Sequence, residues 1–508
     1  MNKYTPEILE QVETLLNVGI ALSAEKDHNR LLEMILTEAR RITGADAGTL
    51  YLCEDGHLVF KIIQNETMGI FQGGRGEPVD LPPVPLREEN VSAYVVLTRR
   101  SVNIADVYAA EGFDFSGPKR YDSLTGYRTT SMLVIPLENH EGEIIGVLQL
   151  INARDQHGRV IPFAPYLEKV VSSLASQAAI ALTNMQFIQD IENLFNSFVE
   201  VMATAIDART PYNANHTRRV ALLAGEMVGV INAVTEGRWG SEYFDDDRAA
   251  QLVMAAWMHD IGKVATPLSV MNKATRLEGG MELVLQRLDY IAASLRAEYL
   301  QRKMVLANEG PRAAEVETLD RWWQEQEAMI EQARELVIRA DNPATFVSEE
   351  MVEELEKVAR RTYVDAAGEE RPWLTRGELE QLSVPRGTLT DTERKIMEDH
   401  VEVTRRMLEK IPFTRKLKDV PYLAGMHHEH LDGNGYPQGL KGDEIPLEGR
   451  ILALLDIFDA LTAADRPYKK AVPVEEALKI LGFMVKDGKL DAELFEHFRQ
   501  SRIWERLE

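Results

Sequence analysis

The sequence predicts a multidomain protein. An α+β module with a central antiparallel sheet and flanking helices is joined by a long helix to an all-α domain that carries a helical insertion. Three observations predict this. Short apolar runs bounded by turn residues fall between about 47 and 151, as strands do. A helical apolar period starts near Pro165 and meets no Pro or Gly before Pro211. From about 197 onward nearly all the periodicity is helical. A length of 508 residues fits two to four domains.

The elements follow in order. Ile8, Val12, Leu15 and Leu16, then Leu31, Leu32, Ile35 and Leu36, recur at helical spacing, so residues from about 8 to 42 read as amphipathic helix. Gly48–Leu52 and Leu58–Ile62 read as strands separated by the turn Glu54-Asp55-Gly56. Ser131–Leu137 and Ile144–Ile151 read as a second pair, with Asn139–Glu143 as their hairpin turn. The first module therefore spans 8–164. The helix over 165–200 carries Val170, Leu174, Ala178, Leu182, Met185, Ile188, Ile191 and Phe195. Its length and position favour a rigid linker that pairs with its copy in a homodimer, over an ordinary packed terminal helix. The second domain occupies 201–508. Within it, about 273–387 is rich in Glu, Arg, Gln and Ala and reads as an inserted helical hairpin or small bundle, with helices over Leu283–Leu300, Ala314–Ile338 and Glu349–Tyr363. Charge-laced helices of this kind are usually solvated faces, so no chemistry is assigned to them.

Composition narrows the function. A formal net charge of −24 argues against a general nucleic-acid-binding surface. No apolar stretch reaches the roughly 18–20 residues needed to span a bilayer. The start, Met1-Asn2-Lys3-Tyr4, leads into a polar amphipathic segment without a signal-peptide apolar core. The single cysteine, Cys53, leaves no intramolecular disulfide and no Cys-rich zinc site. These features predict a cytoplasmic protein without a membrane span.

The chemistry is carried by histidines. Six of the eleven lie in the motif-bearing part of the helical region: His216, His259, His400, His427, His428 and His430. One buried histidine is usually a core residue, but here they come with a His259-Asp260 pair and a His427-His428 pair. Imidazole and carboxylate without thiolate suit a hydrolytic metal centre, and mixed N/O ligation favours Fe or Mn over tetrahedral zinc. Adjacent ligands on a helix point about 100° apart, so His427 and His428 can address different ions. Asp260 could bridge two ions with its two oxygens, as a two-metal hydrolase requires. No protein nucleophile is then needed.

The region 197–508 resembles the HD-GYP phosphodiesterases, metallohydrolases that cleave cyclic di-GMP. The resemblance is carried by Met258–Lys263, by His427-His428-Glu429 with Asp432–Pro437, and by Gly439–Pro446, Arg450–Thr462 and Asp465–Lys469. It implies His216, His259, Asp260, His400, His427, His428 and Asp456 as metal ligands. It implies Asp260 and Lys263 as the catalytic pair, with Lys263 near the scissile phosphate. Tyr436, Arg466 and Lys469 match positions that hold the dinucleotide. His430 falls outside the ligand pattern. Two departures stand out. Some members carry a Glu four residues before the first histidine and hold a third metal with it; here Tyr212 stands there, so two divalent ions, Fe or Mn, are expected. The Lys-Pro-Gly-like turn after the HD motif is split, with Met271-Asn272-Lys273 and Arg386–Asp391 as its severed ends.

Residues from about 8 to 190 resemble a GAF domain, most clearly over Tyr121–Leu137 and Gly142–Asn152. The likeness is to GAF domains that bind cyclic nucleotides, and it implies Asp122, Thr125 and Thr129 as ligand contacts. The Asn-Lys…Phe…Asp-Glu signature of those domains is incomplete, since Asn152 is followed by Ala153-Arg154-Asp155. The expected function is hydrolysis of cyclic di-GMP to pGpG under control of the GAF sensor, with the end product, pGpG or GMP, left open. Two rivals are a non-catalytic cyclic di-GMP receptor signalling to a protein partner, and a phosphodiesterase for another cyclic dinucleotide such as cyclic GMP-AMP.

Overall fold

The computed structural model describes residues 6–209, 215–308, 310, 313–463 and 472–507. The chain divides into two compact units, with the boundary between Phe195 and Asn196. Among the described residues, no helix is long and apolar enough to cross a membrane.

The first unit opens with two helices, α1 (Pro6–Ala24) and α2 (His28–Thr43). This corrects the single helical stretch read over 8–42. The Asp27 carboxylate accepts the Arg30 N–H as an N-cap, and Glu25 accepts from the N–H groups of Lys26 and Asp27. These local bonds compete with helix continuation. Gly44, in the left-handed region at φ 64°, ends α2. The strands are β1 (Ala45–Glu54), β2 (His57–Asn65), β3 (Ile70–Gly73) and β4 (Val84–Pro85). Helix α3 (Val91–Thr98), strand β5 (Val102–Ile104) and helix α4 (Ser116–Thr125) follow. Strands β6 (Met132–Glu138), β7 (Ile144–Arg154) and β8 (Val160–Ile161) complete the sheet. All pairings are antiparallel, in the order β3-β2-β1-β7-β6-β5, with β4 on β2 and β8 on β7. The period of two sorts side chains between two cores. Leu50, Leu133, Ile135, Leu148 and Leu150 face α2 and the start of α5 (Pro165–Asp207). Tyr51, Val134 and Val147 face the opposite side, with Val91 and Val95 of α3.

The second unit is mainly helical. It contains α6 (His216–Asn232), α7 (Asp246–Met258) and the short α8 (Leu268–Met271). The segment from 273 to 387 follows, with α9 (Met281–Asn308), α10 (Ala313–Asp341), α11 (Glu349–Ala359) and α12 (Arg376–Leu382) around their own apolar core, which includes Leu288, Ile330, Val337 and Leu355. Helix α11 stops four residues short of Tyr363. The chain there forms a small hairpin, β9 (Thr362–Val364) on β10 (Glu370–Pro372). The domain is thus not purely α. The Asp365 carboxylate accepts the Ala367 and Glu369 N–H groups, and Gly368 has φ 83°, so the turn overrides the helical period. The remaining helices are α13 (Asp391–Glu398), α14 (His400–Leu408), α15 (Val420–Ala424), α16 (Leu447–Thr462), α17 (Val474–Lys486) and α18 (Ala492–Ser501).

Candidate metal centre

Five elements bring the histidines and carboxylates of the second unit together. His216 opens α6, His259 and Asp260 close α7, and His400 opens α14. His427 and His428 follow α15, and Asp456 lies in the middle of α16. The glycine of the Asp260-Ile261-Gly262 run has a steric reason. A Cβ on Gly262 would lie 2.0 Å from the His400 carbonyl oxygen and 2.5 Å from the Thr404 nitrogen. Only glycine lets the turn after Asp260 press against the start of α14. Thr404 fastens the contact: its hydroxyl donates to the His259 carbonyl and accepts the Gly262 N–H, both at 2.9 Å.

The ligand atoms fall into two trios, His216–His259–Asp260 and His400–His427–His428. Asp260 faces both. Its Oδ2 lies 3.4 Å from His259 Nε2 and 3.7 Å from His216 Nε2, while its Oδ1 lies 3.4 Å from His400 Nε2 and 3.8 Å from His427 Nε2. Asp456 joins the first group, with Oδ1 3.1 Å from His216 Nε2 and 3.7 Å from His259 Nε2, and its Oδ2 is 4.0 Å from His428 Nδ1.

Four imidazoles are oriented through Nδ1. His259, His400 and His427 donate from Nδ1 to the carbonyls of Ala256 (2.7 Å), Met397 (2.6 Å) and Ala424 (2.9 Å). A carbonyl only accepts, so the Nδ1 hydrogen is fixed and Nε2 is presented inward. His216 Nδ1 instead pairs with Asp459 Oδ2 at 2.7 Å, and Asp459 is held by Arg219 Nε at 2.6 Å. Asp459 was not anticipated; its spacing of three residues from Asp456 on one helix was the available signal. His259 Nε2 and Asp260 Oδ1 are buried and have no hydrogen-bond partner. An unsatisfied buried polar atom costs about 1–3 kcal/mol, and a cation beside each of these atoms would relieve both. The donor set, imidazole Nε2 and carboxylate oxygen, therefore fits divalent metal.

The electrostatics separate the groups. Burial pushes the Asp260 carboxyl up, but Lys263, His259 and His400 outweigh it and hold it well below the usual carboxylate range. Burial also opposes the shift at Asp456, which His216 and His259 hold well below that range. Burial disfavours charge on His216 and His259, yet Asp456 and Asp459 raise the first to about 9, and Asp260 and Asp456 raise the second to about 10. Burial drives His428 down to about 4. Lys263 Nζ sits 2.5 Å from Asp260 Oδ2.

The loop after His428 folds back over the centre. The buried Glu429 carboxylate accepts the Gln438 N–H at 2.7 Å and the Leu440 N–H at 2.8 Å, and the Tyr436 N–H donates to the His428 carbonyl at 3.1 Å. A Cβ on Gly435 would lie 2.3 Å from the His430 nitrogen, so the fold-back needs glycine there. Tyr436 is thereby placed against His428, with ring centroids 4.7 Å apart. Glu429 was missed as the anchor because its partners lie nine and eleven residues away. Arg466, Lys469 and Tyr212 lie outside the described residues.

In the first unit a cavity of about 600 Å³ opens beside the sheet, lined by Thr49, Tyr51, Gln64, Tyr127, Thr129 and Gln149 among others. Of the three expected contacts only Thr129 lines it. Asp122 is buried and accepts from the Tyr108 hydroxyl (2.9 Å), the Thr129 N–H (2.8 Å) and the Thr129 hydroxyl (2.9 Å), which makes it a brace between α4 and the following loop. Thr125 is exposed and donates to the Tyr121 carbonyl of its own helix. Cys53 is half-buried, and burial pushes its thiol up.

The family model for the GAF domain matches residues 27–182, and that for the HD domain matches residues 376–494. The chain pairs a GAF domain with an HD domain. The HD match contains His400, His427, His428 and Asp456, and His216, His259 and Asp260 are brought to them by the fold. HD domains are metal-dependent, in keeping with the donor set. A 3′3′-cGAMP-specific phosphodiesterase from Vibrio cholerae is 37% identical over 157 residues, which is 28% of this chain and 33% of that protein. A cyclic di-GMP phosphodiesterase response regulator from Xanthomonas campestris is 43% identical over 95 residues, 19% of this chain and 25% of that protein. The matches thus span a third or less of these relatives. The GAF domain of a phosphoenolpyruvate-protein phosphotransferase from Coxiella burnetii is 18% identical, covering 36% of this chain and 98% of that one, with a TM-score of 0.28.

Proposed function

We propose that the chain is a metal-dependent phosphodiesterase of the HD-GYP type that hydrolyses cyclic di-GMP to pGpG. The observation that carries the reading is Asp260, with one oxygen toward His216 and His259 and the other toward His400 and His427. Two divalent ions, Fe or Mn, held by His216, His259, Asp260 and Asp456 on one side and His400, His427, His428 and Asp260 on the other, would supply Lewis acidity and an activated water. The chain's own groups do the rest. The Lys263 ammonium, held on Asp260, offsets charge developing on the phosphate and can protonate the departing 3′ oxygen as the P–O3′ bond breaks. The phosphate remains on the 5′ oxygen, as pGpG requires. Tyr436 offers an aromatic face for a guanine beside His428, and Glu429 holds the loop that presents it. Arg466 and Lys469 are assigned to the substrate phosphates.

The domain reading is a GAF sensor over 8–164, a linker helix over 165–200 and a catalytic domain over 201–508 interrupted at about 273–387. A ligand in the 600 Å³ cavity would bias the linker. Homodimerisation through α5 is supported by exposed Phe187, Ile191, Leu194, Phe198 and Val201, spaced four and three residues apart as a coiled-coil seam. The test is incubation of Fe- and Mn-loaded protein with cyclic di-GMP. Conversion to pGpG is expected; intact substrate beside an active control enzyme would refute the reading. The relative named for 3′3′-cGAMP favours a second reading, hydrolysis of that mixed dinucleotide. Side-by-side rates on the two substrates decide between them.

A further inference from the structure

The root of the 273–387 segment is tied in two places. Arg276 is fully buried, and its guanidinium donates to four backbone carbonyls, those of Val384 (2.9 Å), Ala340 (2.6 Å), Asn342 (2.7 Å) and Thr345 (2.8 Å). The Asp341 carboxylate accepts the Leu277 N–H at 2.6 Å, and the Val347 N–H donates to Pro385. The entering and leaving stretches of the segment are therefore locked to one another. The second tie runs to the HD domain. The Lys273 side chain is only 3% exposed, and its ammonium donates to both oxygens of Glu393, at 2.8 and 2.7 Å. The Thr388 hydroxyl donates to the Lys273 carbonyl.

Glu393 is not an ordinary surface partner. It is the third residue of α13, where it closes a capping box with Thr390. Helix α13 ends at Glu398, and His400 begins the next helix. Lys273 also lies two residues beyond the end of α8, which packs on α13. One ion pair, buried at its Lys273 end and half-buried at Glu393, thus holds the base of the inserted segment against the helix that delivers His400. An exposed pair would contribute little, but removing one partner of a buried pair leaves the other charge uncompensated.

We infer that Lys273 and Glu393 are positioning residues that set His400 and make the 273–387 segment a second input to the centre, acting on the His400–His427–His428 trio. The inference rests on the two-metal reading. Displacing the segment pulls on α13 through this pair and moves His400 relative to Asp260, while His216 and His259 stand on α6 and at the end of α7 and feel α14 only indirectly, through the Thr404 bond to the His259 carbonyl. A partner or ligand on the segment would therefore tune the ion at His400 more than the other.

The test compares metal binding by the full chain carrying Lys273→Met, Glu393→Gln or Arg287→Met. Arg287 pairs with Glu378 inside the segment and away from α13, so it controls for general loosening. Glu393→Gln keeps an oxygen for the Thr390 cap and serves if Lys273→Met does not fold. Wild type should hold two Mn ions per chain by elemental analysis and titration. Lys273→Met and Glu393→Gln should weaken the second ion by about 10-fold or more, the range seen when outer partners of ligands are removed, and the first by markedly less; equal weakening of both ions overturns the inference. Arg287→Met should keep both. Wild-type affinity for both ions in the Lys273 and Glu393 variants, or equal loss in Arg287→Met, overturns the inference and leaves the two-metal reading standing. Fewer than two ions in wild type overturns both.

Discussion

Replacing Asp459 with Asn should weaken the first metal position while leaving the fold intact. Asp459 acts on the metal position only through His216. Its Oδ2 accepts from His216 Nδ1 at 2.7 Å, and its two oxygens take Arg219 Nε at 2.6 Å and Nη2 at 3.0 Å. Asparagine keeps one acceptor, so His216 can retain a neutral hydrogen bond, but the charge that makes the imidazole a stronger donor to metal is lost. Charge-assisted hydrogen bonds are roughly twice as strong as neutral ones, and loss of such a partner typically costs 10–100-fold in metal affinity. That range is about 1.4–2.7 kcal/mol for one of the two ions, since Asp459 addresses only His216. Arg219 is 25% exposed at its side chain and can rehydrate, so the stability cost should stay near 1 kcal/mol. The assay is Mn titration against a chelator of known affinity, with thermal unfolding as the control. A first-site affinity equal to that of wild type would refute the orienting role. A collapse of the unfolding temperature would show that Asp459 serves the fold instead.

Further outcomes are expected. In the metal-free protein, His216 at about 9 and His259 at about 10 carry protons at neutral pH, so metal must displace them. Affinity should rise with pH from about 6.5 toward 9–10, and calorimetry in buffers of different ionisation heat should show proton release; none would contradict the electrostatics. In the same protein the stabilisation from these raised values is fully present below about 6.5 and is lost as pH climbs through 9–10, opposite in sign to metal affinity. Glu429→Gln can accept only one of the Gln438 and Leu440 N–H groups and should raise KM several-fold with metal content unchanged; unchanged KM would remove Glu429 as the loop anchor. Leu194→Glu in the exposed seam of α5 should convert a dimer to a monomer in analytical ultracentrifugation, and an unaltered mass would count against pairing through that helix.

The parts of this architecture that sequence reveals are those with local causes. The hairpin at Glu54-Asp55-Gly56 and the turn at Asn139–Glu143 are written in residues that adopt those conformations, and β1/β2 and β6/β7 pair across them. The break at Glu25–Asp27 is hidden because apolar periodicity resumes beyond it. The Thr362–Pro372 hairpin is hidden because three-residue strands carry too little pattern. At the centre, histidines and aspartates stand out by type, whereas Asp459, Thr404 and Glu429 act through partners that only folding brings near. Asp122 shows the converse: a polar residue in a suggestive run spends its oxygens on Tyr108 and Thr129 and never reaches the cavity.

The most direct test of the account is elemental analysis of anaerobically purified protein, wild type beside Asp260→Asn. Two ions of Fe or Mn per wild-type chain, with at most one retained once the carboxylate shared by the two trios is removed, is the predicted result. Two ions held equally by both proteins, or a third ion in wild type, would contradict it.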